Sequence, residues 1–449
     1  MKKLIPAIVC LSFILLIFNS CTTDIDTLSE HSNTTNKALN KGRQTNLESS
    51  MPPELVKNQL VIRFRERFYD ESIILYNKMK DDRRTFYGIS TFESCSCEDN
   101  RIELWTFPTG INVETKMGAI DTDEDLEGDF QFLLSKPDKA AWYVTNVSTN
   151  FNSSHSAINS TNSGTIIAVI DSGINYNYNG FENGFLYKGG LDSPCYDTND
   201  NNIQYSGWNF ADNTNNPFDE IGHGTVVTNI ITRQLDANNT EYRILPIKVF
   251  DSQGDTNYFK IVCGFNYAAK NTDVNIIVSS LGWYYQQQSI LETIILEVEH
   301  NKLIMASAGN AGVNSDGINL DDEDLVPDSF RSVGIHFPSG YNLDNILSVA
   351  GVDTSITLGA PSYNRNLAWF SNYGQHSVDI AAPSENIPFH FNGVNYFSNG
   401  TSFANAYAAG KAALFFNNQS IDDLKSDLVG ITYAYPSLIN KLKYNSTLH

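Results

Sequence analysis

The sequence predicts an α/β fold in which one parallel sheet is covered by helices on both faces, preceded by a smaller α+β unit. Three observations carry this. Short, continuous apolar runs recur from residue 165 onward and end abruptly at small or polar residues. Helix-like stretches lie between several of them. Upstream, the acidic run Thr122–Asp129 and the Ser/Asn/Thr-rich stretch Asn146–Ser163 separate this pattern from a shorter strand-and-helix alternation. Strands that are apolar throughout, interleaved with helices, belong to parallel sheets buried on both sides.

In chain order, residues 1–20 read as a signal peptide of lipoprotein type. MKK is a basic start, and Ile5–Phe18 is an apolar core of secretory length, shorter than a membrane span. Phe18-Asn19-Ser20-Cys21 resembles a lipobox, which implies lipidation of Cys21; an ordinary secretory signal is the alternative. Residues 21–57 form a polar tether, since Thr22–Ser50 has almost no large apolar residue to offset the entropy of ordering. Residues 58–136 alternate as strand (Asn58–Phe64), helix (Glu71–Lys80), strand (Arg101–Phe107), helix (Ile111–Ile120) and strand (Asp129–Ser135). With a further strand near Arg84–Ser90, the order fits a ferredoxin-like unit. Residues 137–449 carry the parallel-sheet pattern. Its apolar runs are Thr165–Ile170, Tyr242–Phe250, Val274–Gly282, Lys302–Asn310, Asn345–Val352 and Ser377–Pro383.

Composition narrows the partners. Of 449 residues 41% are hydrophobic and 18% charged, as in a globular protein. The formal net charge of −21 argues against nucleic acid or an anionic membrane surface as a partner. Beyond Cys10 and Cys21, the cysteines at 95, 97, 195 and 263 are too few and scattered to fix a pairing. Cys95 and Cys97, as C-S-C, read as incidental thiols, with a metal or redox pair as the alternative, because no second Cys/His cluster of zinc spacing accompanies them.

Functional residues in such a sheet collect beyond the carboxyl ends of the strands. Asp171 ends the first apolar run and precedes a Ser-Gly turn; it is either a turn aspartate or a carboxylate aimed at a histidine. His223 sits between Gly222 and Gly224 at a helix start; it is either a structural or solvated histidine, or one open to close approach with an imidazole suited to proton transfer near neutrality. Asn310 follows a strand in Met305–Gly312, as a turn residue or an amide donor. Ser402 stands in NGTSFANAYAAGKAALFF, as a helix cap or as a nucleophile before a helix rich in small residues.

The ordered motifs D-S-G at 171, H-G-T at 223, A-G-N ending at 310 and G-T-S ending at 402 resemble those of subtilisin-like serine endopeptidases, the subtilases. Leu245–Asp255, Ser280–Trp283 and Ser371–Pro383 agree, and the resemblance runs from about Thr165 to Phe416. It implies a doubly wound, subtilisin-like sheet and an Asp171–His223–Ser402 triad, with Asn310 and the Ser402 N–H as oxyanion donors. Ser280, Leu281 and Gly282 would pair with extended substrate. Ser307, Ala308 and Gly309 would wall an open pocket for a sizeable apolar side chain, its entrance narrowed by Trp283.

Substrate would be a peptide or protein, and the unit over 58–136 would be an intramolecular inhibitor of propeptide type. A cut between Ser135 and Ser163 would then free the enzyme from Cys21, its sole membrane anchor. The chemistry would need no cofactor; a structural calcium is left unassigned. No G-x-S-x-G or H-E-x-x-H motif points to another hydrolase class. A narrow maturation protease and a catalytically silent surface-binding lipoprotein are the alternatives.

The chain departs from the family in three places. Asn405 stands where proline is usual, and Val227, Thr228 and Asn229 replace small residues. Asn175–Asp219 is a long insertion, read as a lid, a calcium site or a solvated excursion. The acidic stretch Asn314–Asp328 reads as solvated charge, since its spacing fits no EF-hand.

Overall fold

A computed structural model of the chain describes residues 53–65, 73–97, 101–135, 151–152, 154–189, 195–197, 202–285, 287–310, 317–322, 335–353, 365–391 and 394–448. The expected signal peptide, Cys21, most of the tether, the connection 136–150 and most of Asn314–Asp328 lie outside the described residues.

The first unit comprises β1 (Glu54–Phe64), α1 (Ile73–Tyr87), β2 (Thr91–Ser94), β3 (Ile102–Thr106), α2 (Val113–Ile120) and β4 (Leu126–Ser135). Its strands pair antiparallel in the order β4-β1-β3-β2. The strand expected near Arg84–Ser90 lies a few residues later. The helix continues through Tyr87, and Gly88, at φ +68°, ends it in the left-handed conformation before β2 begins.

Strand β1 shows why this unit needs a partner. Leu60, Ile62 and Phe64 pack with Tyr76, Tyr87, Trp105 and Met117 of the strands and helices of the same unit. Alternate side chains of a strand point to opposite faces. Val61 therefore faces the other way and, with Ile102, Leu104 and Phe132, joins a core made mostly by the second unit.

The second unit runs β5 (Thr165–Asp171), β6 (Tyr196–Asp197), β7 (Asn202–Ile203), β8 (Trp208–Asn209), α3 (His223–Ala237), β9 (Tyr242–Lys248) and β10 (Asp255–Asn257). It continues with α4 (Tyr258–Lys270), β11 (Ile276–Ser279), β12 (Trp283–Tyr284), α5 (Ser289–Leu296), β13 (Leu303–Ser307), β14 (His336–Phe337) and β15 (Ile346–Val352). The last elements are β16 (Ile380–Pro383), β17 (Ile387–Phe391), β18 (Val394–Ser398), α6 (Thr401–Phe415), α7 (Ile421–Gly430), β19 (Tyr433–Ala434) and β20 (Ser446–Thr447).

The main sheet has the order β19-β20-β16-β15-β13-β11-β5-β9-β8 and is parallel except at its β19 edge. Within β5, Ile167 and Val169 face the core containing α3 and α6, while Ile166, Ala168 and Ile170 face the core containing α4 and α5. Helices thus cover both faces, as the unbroken apolar runs predict. Register sets the carboxyl ends level: Ile170 lies beside Ser279, Asp171 beside Lys248, and Ser279 beside Ala306.

The first unit docks on α4 and α5. Strand β10 pairs antiparallel with β4, Asp255 opposite Ser135, and extends the small sheet with a strand of the larger unit. The Asp129 carboxylate accepts from Ser289 N at 2.9 Å, Ile290 N at 2.8 Å and the Tyr258 hydroxyl at 2.8 Å. It caps α5, whose own N-cap Gln288 makes no side-chain capping bond. Burial pushes Asp129 up to about 7, against the lowering effect of those donors. Gln131 Oε1 accepts from Phe259 N at the start of α4, and Arg63 pairs with Glu297.

The expectation of incidental thiols at Cys95 and Cys97 is corrected, and the pairing left open by the sequence is settled. Cys95 is bonded to Cys263 and Cys97 to Cys195, so both bridges join the first unit to the second. Sequence spacing had no means of showing this, because the partners lie 168 and 98 positions apart. The expected release of the enzyme by a cut between Ser135 and Ser163 is corrected too: both bridges span that interval, with one cysteine on each side, and hold the fragments together.

This predicts a specific behaviour. A site for an added sequence-specific protease, inserted between 137 and 150 in a Ser402→Ala chain, should yield one band on a non-reducing denaturing gel after cutting. Two bands should appear once dithiothreitol is added. Two bands without reductant would show that the units are not bridged.

Candidate active site

Asp171 closes β5 and is fully buried. Its carboxylate meets His223 Nδ1 at 2.8 Å and 2.9 Å and accepts from Ser172 N at 2.6 Å. His223 opens α3, and the flanking glycines have separate tasks. Gly222 takes φ +94° at the N-cap, a conformation other residues reach at a cost. A Cβ on Gly224 would lie 2.2 Å from the Gly173 carbonyl, so glycine lets α3 abut the chain beyond β5.

A residue not singled out from the sequence holds that junction. Buried Asp219 accepts through Oδ1 from Ser172 Oγ, Ile221 N and Gly222 N, and through Oδ2 from Thr225 N and Thr225 Oγ1. Gly224 N donates to Ser172 Oγ, closing the network. One carboxylate thus satisfies first-turn donors of α3 and fixes the turn after Asp171. Its only sequence signal is an acidic residue a short step before His223. Buried Lys248, at the end of β9, donates to the Ser172 carbonyl and to Glu220 Oε2, each at 2.8 Å.

Ser402 stands in the first turn of α6. Its hydroxyl donates to the Ser280 carbonyl at 3.1 Å, while Ser280 Oγ donates to the Ser402 carbonyl at 3.0 Å. The His223 ring lies 5.6 Å, centroid to centroid, from Phe403, the next residue along α6. The small residues have the packing role their size suggests: Ala404, Ala406, Ala408, Ala409, Ala412 and Ala413 are buried. A Cβ on Gly410 would strike the Gln234 side chain of α3. Helices α3 and α6 thus approach closely and bring their first turns together.

Asn310 is tied to the same helix end. Its Oδ1 accepts from Thr401 N at 2.8 Å and Thr401 Oγ1 at 3.0 Å, and a Cβ on Gly400 would lie 3.6 Å from its Nδ2. The left-handed turn there belongs to Gly309, at φ +91°. Asn405, in place of the family's proline, donates through Nδ2 to Ser279 O, Ser280 Oγ and Met305 O. It pins α6 to the end of β11 and the middle of β13 by hydrogen bonds.

The residues expected to bind substrate flank this point. Ser280, Leu281 and Gly282 continue β11 outside any described ladder. Ser307 ends β13, and the Ala308 carbonyl and Gly309 carbonyl accept from Asn372 Nδ2 and N. Two expectations need correction. The space between Gly282 and Gly309 is not open, because the His336 ring occupies it. Trp283 is buried against Phe132 and Tyr258 under the first unit, so it narrows no entrance.

The fold and these motifs define an α/β protein with a subtilisin-like body. The Subtilase family profile matches residues 162–427, and the chain belongs to that family. It is similar to the cell wall-associated protease of Bacillus subtilis (strain 168), 30% identical over 259 residues, covering 56% of this chain and 23% of that protein. Thermitase of Thermoactinomyces vulgaris is 28% identical over 216 residues, covering 46% of this chain and 66% of that one. The chain therefore matches between 23% and 66% of the length of these two relatives. Among solved structures, a mutant epidermin leader peptide processing serine protease from Staphylococcus aureus shares the fold. Its TM-score is 0.54 at 15% identity, with 87% of this chain and 97% of that one covered.

Replacing Asp219 by alanine should strand several buried N–H and O–H donors. Denaturant unfolding, in a Ser402→Ala background, should show a loss on the order of 3 kcal/mol. A loss below about 1 kcal/mol, within the range of ordinary surface substitutions, would mean the network does not hold the junction.

Proposed function

We propose that the chain is an exported serine endopeptidase that hydrolyses peptide bonds through an acyl-enzyme intermediate. The observation that carries the reading is the contact of His223 Nδ1 with the fully buried Asp171 carboxylate, beside the helix turn that bears Ser402. With its Nδ1 proton held by Asp171, the imidazole has Nε2 as its basic nitrogen. As substrate arrives, the Ser402 hydroxyl exchanges the Ser280 carbonyl for Nε2 and attacks the scissile carbonyl. Such bonds tighten in the substrate complex. His223 then returns the proton to the leaving amine, and water repeats the sequence to release the acid.

The oxyanion forms between Asn310 Nδ2 and the Ser402 N–H. Two features support this: Asn310 Oδ1 is committed to Thr401, which orients the amide, and α6 presents its N-terminal dipole to the same point. Ser280–Gly282, which leaves the sheet unpaired by any described strand, takes the extended substrate by strand addition. Ser307, Ala308 and Gly309 form the opposite wall.

Residues 58–136 serve as folding partner and intramolecular inhibitor, and 137–449 as the catalytic unit. The caps that Asp129 and Gln131 supply to α5 and α4 support the docking. Export is supported by the signal-like start and by the two disulfides, which persist in oxidising compartments. A relative named as cell wall-associated accords with it. Membrane attachment is through lipidated Cys21. The chemistry uses no cofactor, and calcium is unassigned. A narrow maturation role is the second reading, favoured by the His336 ring in the substrate cleft.

A fluorophosphonate probe should label the wild-type chain and leave Ser402→Ala unlabelled; equal labelling of the two would place the nucleophile elsewhere. Asn310→Ala should lose on the order of 10²–10³ in kcat with KM little altered, measured on any cleaved peptide. An unchanged kcat would remove Asn310 from the reaction.

A further inference from the structure

Strands β11 and β13 are hydrogen-bonded neighbours up to Ser279 and Ala306, and a cleft opens beyond their ends. One lip is Ser280–Gly282, whose Ser280 carbonyl holds the Ser402 hydroxyl; the other is Ala308–Gly309, next to Asn310. The His336 imidazole stands in this cleft. A Cβ on Gly282 would lie 2.3 Å from both Cε1 and Nε2, and one on Gly309 would lie 2.7 Å from Cδ2 and 2.8 Å from Nε2. The Cε1–Nε2–Cδ2 edge of the ring is thus pressed between two glycines, and any larger residue at either would collide with it.

The ring is fixed in place. His336 is buried and belongs to β14, which pairs with β12 so that His336 lies opposite Tyr284. The Tyr284 ring meets it edge to face at 5.0 Å, and Tyr284 is itself held by Asn372. On the far side, His336 Nδ1 is 2.7 Å from Ser339 Oγ, and that hydroxyl donates to the His336 carbonyl at 3.2 Å. A hydroxyl has one proton. With that proton on the carbonyl, Oγ accepts from Nδ1–H, and Nε2 carries a bare lone pair. Burial holds the imidazole neutral by lowering its pKa to about 3, so Nε2 stays an acceptor at ordinary pH.

We propose that His336 determines specificity for the residue before the scissile bond, closing the cleft to bulky side chains and favouring short ones that carry a hydrogen-bond donor, such as serine and asparagine. Leucine, phenylalanine and tyrosine need the volume the ring fills. Alanine fits but leaves Nε2 without a donor. The assignment rests on the endopeptidase reading above, because the cleft matters only if Ser402 and Asn310 act on a peptide bond at its rim.

The test is a set of peptides identical except at the residue before the scissile bond, assayed with wild type and His336→Gly. Wild type should cut after serine or asparagine with kcat/KM on the order of 10²-fold above phenylalanine or leucine, alanine falling between. In His336→Gly the phenylalanine peptide should gain about tenfold or more and the serine preference should vanish. Wild-type cleavage after phenylalanine or leucine as fast as after serine overturns the assignment, whether or not the variant folds. An unchanged profile in a folded variant does the same. These failures differ from failure of the endopeptidase reading, in which Ser402 of the wild type would not react with a fluorophosphonate and no peptide would be cut.

Discussion

The buried carboxylate of Asp171 is the constraint from which the site is built. A charge removed from water must be met by protein donors, or its burial costs several kcal/mol. Here the Ser172 N–H and the His223 imidazole meet it. Those donors are in place only because the turn after β5 and the start of α3 are locked together, and Asp219 locks them. The glycines at 222 and 224 follow from the same demand, as does the close seating of α6 beside α3. Removing side-chain volume at these points lets backbones approach until each polar group finds its partner.

Much of this was legible in the sequence because it rests on local chemistry. The apolar runs marked strands buried on both faces, and β5, β9, β11, β13, β15 and β16 lie in or against those runs. The abrupt ending at Asp171 marked the carboxyl edge of the sheet. Asp219 left no such trace, since a turn aspartate and a structural one look alike until the donors around it are known. His336 was invisible for a different reason. It reaches the cleft from β14, through tertiary packing that no spacing encodes, so a pocket read as open from its small wall residues is filled by a residue from elsewhere. Trp283 was misjudged likewise: it packs between Phe132 of the first unit and Tyr258 of α4, not at the cleft entrance.

The first unit looks independent in sequence but has two buried faces. Leu60, Ile62 and Phe64 are covered by its own helices, whereas Val61, Leu104 and Phe132 are covered only by α4, α5 and their surroundings. Separated, it would expose an apolar sheet face, a surface prone to aggregation. The larger unit would lose the Asp129 cap on α5, whose N-cap residue supplies none of its own. Each unit completes hydrogen bonding or burial that the other lacks. Strand β10 extends this mutual dependence to the backbone, covering what would otherwise be a free edge at β4.

The two bridges are nested: the bond from Cys97 to Cys195 lies inside the loop closed by Cys95 and Cys263. Four cysteines admit three connectivities. During synthesis from the N-terminus, 95 and 97 emerge side by side, 195 follows much later, and 263 last of all. Oxidation in order of emergence therefore joins the adjacent pair first and blocks both native bonds. The native connectivity forms only if that early bond is withheld or reshuffled by thiol–disulfide exchange. The nested pairing thus demands thiol–disulfide exchange, or collapse of the larger unit fast enough to keep the CSC segment reduced until its distant partners arrive.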